Sequence, residues 1–283
     1  MDRTDLLREL AHRNFAEFAN DPALVAAIVT GSVARGGCDE ASDIDTILYF
    51  DGPLTAERLE AEKAKGEASG GGFYGGTPEE GFGAWRRIDG VKCDFGFEPA
   101  SEVDRLIDDL YERTDLDLDK QLIVLGIRDA IVLAGEERVA GWRERTDVYP
   151  RVLGRAMIEK HLKPAPAWVY RVMAAERGER VWLSELMVEA ASNLLGVLCG
   201  LNEVWHPGKL KGSRRAFDRL RVAPAEVGPR VDALFGASLV DAAEEAARLW
   251  EETLTLVERH APDVDTAAAR RRFEIALSGA TSG

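Results

Sequence analysis

The strongest constraint on this chain is a short run, Leu24-Val25-Ala26-Ala27-Ile28-Val29-Thr30, that stops at Gly31-Ser32 and is followed by Ser42-Asp43-Ile44-Asp45 at the head of a second apolar run. The first run is too short and too β-branched for a helix, so it reads as a buried strand. Gly31 can take backbone angles closed to other residues, which lets the chain turn sharply and bring its amides near a ligand. Ser32 adds a hydroxyl and can open a short helix, whose unpaired N-terminal amides favour anionic oxygens.

In Asp43-Ile44-Asp45-Thr46-Ile47-Leu48-Tyr49-Phe50, strand alternation puts the side chains of Asp43 and Asp45 on one face. Two carboxylates this close repel unless a proton or a cation lies between them. Magnesium suits such a pair, because it prefers oxygen ligands and fills its shell with phosphate oxygens. Farther on, Val91-Lys92-Cys93-Asp94-Phe95-Gly96-Phe97 alternates with period two, with Lys92, Asp94 and Gly96 on one face and Cys93 among the core-facing residues on the other. Asp89-Gly90 before it signals a hairpin with residues 83–88, which places Asp94 on a neighbouring strand of the same sheet.

Through Gly31-Ser32-Val33-Ala34-Arg35-Gly36, Ser42-Asp43-Ile44-Asp45 and Asp94, the chain resembles the DNA polymerase beta-like nucleotidyltransferase superfamily. Its length and helical second half look like the aminoglycoside- and lincosamide-type antibiotic nucleotidyltransferases. It is also similar to uncharacterised bacterial nucleotidyltransferase-domain proteins, through Asp117-Leu118-Asp119-Lys120-Gln121, Tyr149-Pro150 and the stretch from Leu201-Asn202 through Pro207 to Lys209.

The resemblance implies a two-metal mechanism with two Mg2+ ions and ATP or another nucleoside triphosphate as co-substrate. Asp43 and Asp45 would hold the ion that meets the triphosphate, and with Asp94 a second that acidifies the acceptor hydroxyl. Gly31, Ser32 and Ser42 would hold the β and γ phosphates, with Arg35 as a further partner. Antibiotic nucleotidyltransferases are often dimers, so a homodimer is one implied state.

Composition narrows the acceptor. The 283 residues include 36 Lys and Arg against 50 Asp and Glu, a formal net charge of −14, which argues against an extended nucleic-acid surface. The same charge raises the local concentration of a cationic small molecule. The chain has no apolar run of transmembrane length and opens on Asp2-Arg3-Thr4-Asp5 with no apolar core behind it, so a cytoplasmic protein with no membrane partner is expected. Cys38, Cys93 and Cys199 have neither disulfide-framework nor zinc spacing.

An α/β (α+β) fold follows, with a nucleotidyltransferase domain built on a mixed sheet over residues 1–135 and an all-α helical bundle that binds the acceptor over 136–283. Helices are expected over 5–19, 55–68 and after Pro99, and an edge strand over 130–133. The segment 69–83 holds seven glycines with Phe73, Tyr74 and Phe82, and reads either as a flexible connection or as a lid. Beyond Gly135, helical spacing predicts helices near 136–145, 150–162, 167–177, 181–201, 213–220, 225–236, 239–259 and 265–277.

Within the bundle, Glu185, Glu189 and Asn193 recur every four residues and form one polar line, either a solvated stripe or a row from which Glu185 takes the acceptor proton. Asn202, His206, Lys209 and Lys211 follow in a Pro-Gly-containing turn, where Lys209 is a candidate for the triphosphate. Arg155 and His161 have the spacing of a helical ribonuclease-toxin signature, which chance also supplies in helical proteins. Gly208-Lys-Leu-Lys-Gly-Ser213 lacks the strand-loop-helix order of a P-loop.

The expected activity is transfer of a nucleoside monophosphate, AMP from ATP, to a hydroxyl of a small molecule such as an aminoglycoside-like antibiotic, with antibiotic resistance as its setting. The alternatives are a protein-modifying nucleotidyltransferase of antitoxin type and a nucleotide-binding regulatory module without turnover.

Overall fold

The computed structural model describes residues 2–275. The β-branched run forms β1 (Leu24–Thr30), followed by the one-turn helix α2 (Gly31–Arg35) and β2 (Ile44–Phe50). Asp89 (φ 52°) and Gly90 (φ 80°) turn β4 (Gly81–Ile88) into β5 (Val91–Pro99), as the Asp-Gly pair predicts. With β3 (Gly72–Thr77) and β6 (Ile131–Ala134), these strands make one sheet in the order β3-β4-β5-β2-β1-β6. Only β2 and β5 run parallel among these pairings.

One face of this sheet carries Ile44, Leu48, Cys93, Phe95 and Phe97 and packs with Leu7, Leu10 and Ala11 of the first helix, α1 (Arg3–Phe15). Period-two alternation thus buries one side of β5 and leaves Lys92, Asp94 and Gly96 on the other. Cys93 is 1% exposed, on the core face as expected.

The glycine-rich segment is neither linker nor open loop: most of it forms β3 and the start of β4. Gly76 explains the composition. Its φ is 109°, and a Cβ there would lie 2.2 Å from the Gly81 carbonyl oxygen, so the glycine permits strand approach rather than slack.

Contacts divide the chain into two compact units, neither continuous in sequence. The first comprises residues up to Asp109 with Ile123–Val148; the second comprises Leu110–Leu122 with the residues from Tyr149 onward. A single cut at residue 135 does not trace this division. Helix α6 (Glu136–Arg145) belongs with the sheet because its Trp142 stacks edge-on against Tyr49 of β2, with ring centroids 4.9 Å apart. The helix α4 (Ala100–Glu112) begins in the first unit and ends in the second. Helix α5 (Leu118–Asp129), which apolar spacing alone does not announce, makes the reverse passage, beginning in the second unit and ending in the first. Its start is set by Asp117, whose carboxylate accepts the Asp119 amide at 2.7 Å.

The second unit is helical throughout its ordered elements after Tyr149: α7 (Arg151–His161), a π-helical turn (Val169–Ala175), α8 (Arg180–Leu201), α9 (Ser213–Asp218), α10 (Val227–Ala233), α11 (Leu239–His260) and α12 (Ala267–Glu274). The end of the helix expected over 265–277 lies outside the described residues. Leu194, Leu195 and Leu198 of α8 pack with Leu249, Trp250 and Leu254 of α11 in its core. Helix α8 is long and apolar enough to cross a membrane, yet 56% of its most apolar window is buried, as in a core helix.

Several polar groups inside this unit bond to one another or to the backbone. Asn202 donates to the Leu198 and Val222 carbonyls and accepts the Arg221 and Val222 amides, at 2.8–2.9 Å, so its side chain has no capacity left for a ligand. Gln121 accepts the His206 amide at 3.2 Å, and His161 Nδ1 lies 3.1 Å from Asn193 Oδ1. The His161 and His206 rings lie parallel, with centroids 6.4 Å apart. Burial, reinforced by His161 and Lys160, pushes His206 down to about 4. Burial also lowers His161, against its bond to Asn193.

The first unit buries a charge network on the core side of its sheet. Arg86 of β4 bonds Glu62 of α3 (Ala56–Ala68) and, at 2.7 Å, Glu17, while Lys65 bridges the same two glutamates at 2.6 and 2.8 Å. The Arg86 guanidinium also lies 4.8 Å from the Phe95 ring centre.

Two outcomes follow from these polar interiors. Glu62→Ala leaves Arg86 buried with half its pairing gone and should cost about 3 kcal/mol in urea unfolding, whereas Arg13→Ala, at an exposed pair with Asp89, should cost under about 1 kcal/mol. For His206, whose folded-state value lies below its ordinary 6.5, the unfolded chain binds more protons in acid. Stability should therefore be unaffected above pH 6.5 and fall as the pH drops from there to about 4, and His206→Gln should flatten part of that slope in pH-dependent melting.

Candidate active site

Three carboxylates meet at one end of the central strands. The parallel register sets Asp45 of β2 directly opposite Asp94 of β5, and the antiparallel register sets Thr30, the last residue of β1, opposite Asp45. Asp43 stands one residue before β2, on the same side as Asp45 because buried Ile44 lies between them. Each aspartate offers one oxygen such that all three atoms lie within 4.8 Å of one another, and all three residues are half-buried. An all-oxygen set of this spacing, open on one side, fits a hard divalent cation that shares its shell with phosphate.

Gly31 turns the chain beside this cluster. Its φ is 69°, and a Cβ at this position would lie 2.2 Å from Asp45 Oδ2. Only glycine lets the turn after β1 close down on that carboxylate without collision.

Lys92 and Tyr74 complete the surroundings. The Lys92 ammonium donates to Asp94 Oδ2 and lies 3.3 Å from Asp43 Oδ2. The Tyr74 hydroxyl donates to Asp94 Oδ1 at 2.7 Å. Burial alone would lower the Lys92 pKa, but its bonds to Asp94, Tyr74 and Asp43 outweigh that and raise it well above the usual lysine range. Burial and Asp94 raise the Tyr74 hydroxyl, with Lys92 opposing. Neither residue was singled out from the sequence. Alternation already placed Lys92 beside Asp94 on one face, but its reach to Asp43 depends on the pairing of β5 with β2.

The remaining candidates lie in both units. Ser32 is half-buried in α2, and Arg35 at its end is exposed. The Ser42 hydroxyl is engaged with Asp39, donating to its carboxylate and accepting its amide, both at 2.9 Å. Glu185 and Glu189 are exposed on α8, Lys209 is exposed in the turn that follows it, and all three belong to the second unit. Asn193 continues the line of Glu185 and Glu189 but is turned to His161. Arg155 is exposed and paired with Glu159 at 2.9 Å, whereas His161 on the same helix is 9% exposed, so these two do not form one surface site.

Residues 12–70 match the nucleotidyltransferase domain family, and residues 116–211 match a domain of unknown function (DUF4037). The first match spans β1, Gly31, Ser32, Asp43 and Asp45 and stops before Asp94; the second holds Gln121, His161, Asn193 and His206. No curated protein matches the chain. Among solved structures, a nucleotidyltransferase-like protein from Exiguobacterium sibiricum 255-15 aligns over 90% of this chain and 78% of its own, at 11% identity and a TM-score of 0.33, a likeness too slight to carry an argument. With the strand-turn-strand order and both leading aspartates inside the first match, residues 12–70 are similar to a nucleotidyltransferase domain, in line with the resemblance to the DNA polymerase beta-like superfamily.

Proposed function

We propose that this protein transfers a nucleoside monophosphate from a nucleoside triphosphate to an acceptor hydroxyl with release of pyrophosphate, and that it does so with a divalent cation held by Asp43, Asp45 and Asp94. The observation that carries this reading is the convergence of three carboxylate oxygens within 4.8 Å beside the Gly31 turn, in a chain whose residues 12–70 match a nucleotidyltransferase domain. Carboxylates this close repel one another, and a bound cation with the substrate phosphates relieves that repulsion. Magnesium, when bound, supplies neutralisation of the charge on the transferring phosphate and a lower pKa for the attacking hydroxyl.

The chain's own residues supply position. Asp43 and Asp45, on one side of β2, orient the triphosphate end, and Asp94 across the parallel pair faces the acceptor hydroxyl. The absence of a side chain at Gly31 leaves room for phosphate oxygens next to Asp45, with the Ser32 hydroxyl as a donor. Little covalent work falls to the protein, so holding the reactants in line accounts for most of the rate. We propose ATP as the donor. A small cationic polyol of aminoglycoside type is the proposed acceptor, because the net charge of −14 concentrates cations near the protein.

The melting temperature of the wild type and of Asp45→Asn, with each of the four ribonucleoside triphosphates and with or without magnesium, tests the site. A triphosphate at about 100 times its dissociation constant should add about 2.7 kcal/mol to the wild type only, and only with magnesium. An equal shift in Asp45→Asn would overturn the assignment. Gly31→Ala should stay folded with a loss of about 1–3 kcal/mol from backbone strain, yet lose the triphosphate shift because its Cβ occupies the space beside Asp45. A normal shift in that variant would remove Gly31 from the phosphate site.

A further inference from the structure

We propose that Lys92 is a resident cation of the acidic triad, standing where a second metal ion would otherwise bind, so that the site takes a single divalent ion. This rests on the reading of Asp43, Asp45 and Asp94 as a metal site. Lys92 lies two residues before Asp94 on the same strand, and therefore on the same face. Its ammonium bonds Asp94 Oδ2 and lies 3.3 Å from Asp43 Oδ2, so it bridges the two carboxylates that are not neighbours in sequence.

The niche is built rather than incidental. The Lys92 Nζ lies 5.6 Å from the centre of the Tyr74 ring and 5.9 Å from that of Trp85, on strands β3 and β4. Trp85 is the register partner of Asp94, and the Tyr74 hydroxyl takes the other Asp94 oxygen at 2.7 Å. Both Asp94 oxygens are thus engaged, one by an ammonium and one by a phenol. The chain is held on both sides: three strands fix where the lysine head rests.

Charge accounting points the same way. A second divalent ion at Asp94 would have to expel Lys92 or sit within a few ångströms of its charge, in a half-buried site where repulsion is weakly screened. A lysine in this place supplies the positive charge that a second ion supplies elsewhere, and its charge is tied to the strand instead of to metal concentration.

Counting bound Mn2+ per chain by electron paramagnetic resonance, with a non-hydrolysable ATP analogue present and Mn2+ in excess, tests this on the full chain. The expected result is one ion in the wild type, one in Lys92→Arg, which keeps the charge, and two in Lys92→Met, which keeps the length without it. Circular dichroism and melting of each variant establish that it is folded. Two ions in the wild type would overturn the proposal, showing that the lysine gives way. One ion in Lys92→Met would also overturn it, since the lysine would then not limit the count. No ion in any of the three would instead remove the metal-site reading on which the proposal rests.

Discussion

The parallel pairing of β2 with β5 is the constraint on which the rest of the first unit depends. Parallel neighbours cannot be joined by a tight turn, so the chain between them has to travel, and it does so through α3 and the strands β3 and β4. That detour builds the half of the sheet that carries Tyr74 and Trp85. The pairing also brings Asp94 level with Asp45, which an antiparallel return would have placed toward the opposite end of the strand. A one-residue slip in this register would turn Asp94 into the core and Cys93 out to the carboxylates.

The two faces of this sheet handle charge in contrasting ways. On the core face, Arg86 and Glu62 are both nearly inaccessible and pair with one another and with Glu17 and Lys65, and the Arg86 guanidinium lies against the Phe95 ring. That network locks α3 to β4. On the open face, Asp43, Asp45 and Asp94 gather at one end of the central strands, with the Lys92 ammonium bridging Asp43 and Asp94. Adjacent strand positions, Trp85 and Arg86, belong one to each face, so the same two residues of β4 serve both the site and its foundation.

The sequence made the site's skeleton legible because that skeleton is local. A β-branched run, a Gly-Ser stop, an Asp-x-Asp strand head and an Asp-Gly turn each declare themselves within a few residues, and β1, β2, β4 and β5 form where those signals lie. What stayed hidden depends on partners distant in sequence. Glycines that look like slack in 69–83 are required by the backbone of the facing strand, as at Gly76, and no local pattern distinguishes the two. Lys92 read as an ordinary polar-face residue until β2 supplied Asp43. Likewise Asn202 and His206, polar residues in a turn, look available for a ligand, yet backbone groups of Leu198, Arg221 and Val222 take up the Asn202 side chain, and His206 is buried with its amide on the Gln121 side chain, 85 positions away.

The interleaving of the two units has a consequence for how this protein can be made. Because Ile123–Val148 completes the unit begun by the first 109 residues, a chain emerging from the ribosome cannot close its sheet domain until β6 and α6 have followed. Leu110–Leu122, synthesised earlier, must wait for the helices after Tyr149 before it has anything of its own unit to pack against. Assembly is thus nested rather than sequential, and a fragment ending at any point before residue 149 leaves Leu110–Leu122 without the rest of its unit. Expression of either unit alone would call for a redesigned connection across the excised segment, not a shortened gene.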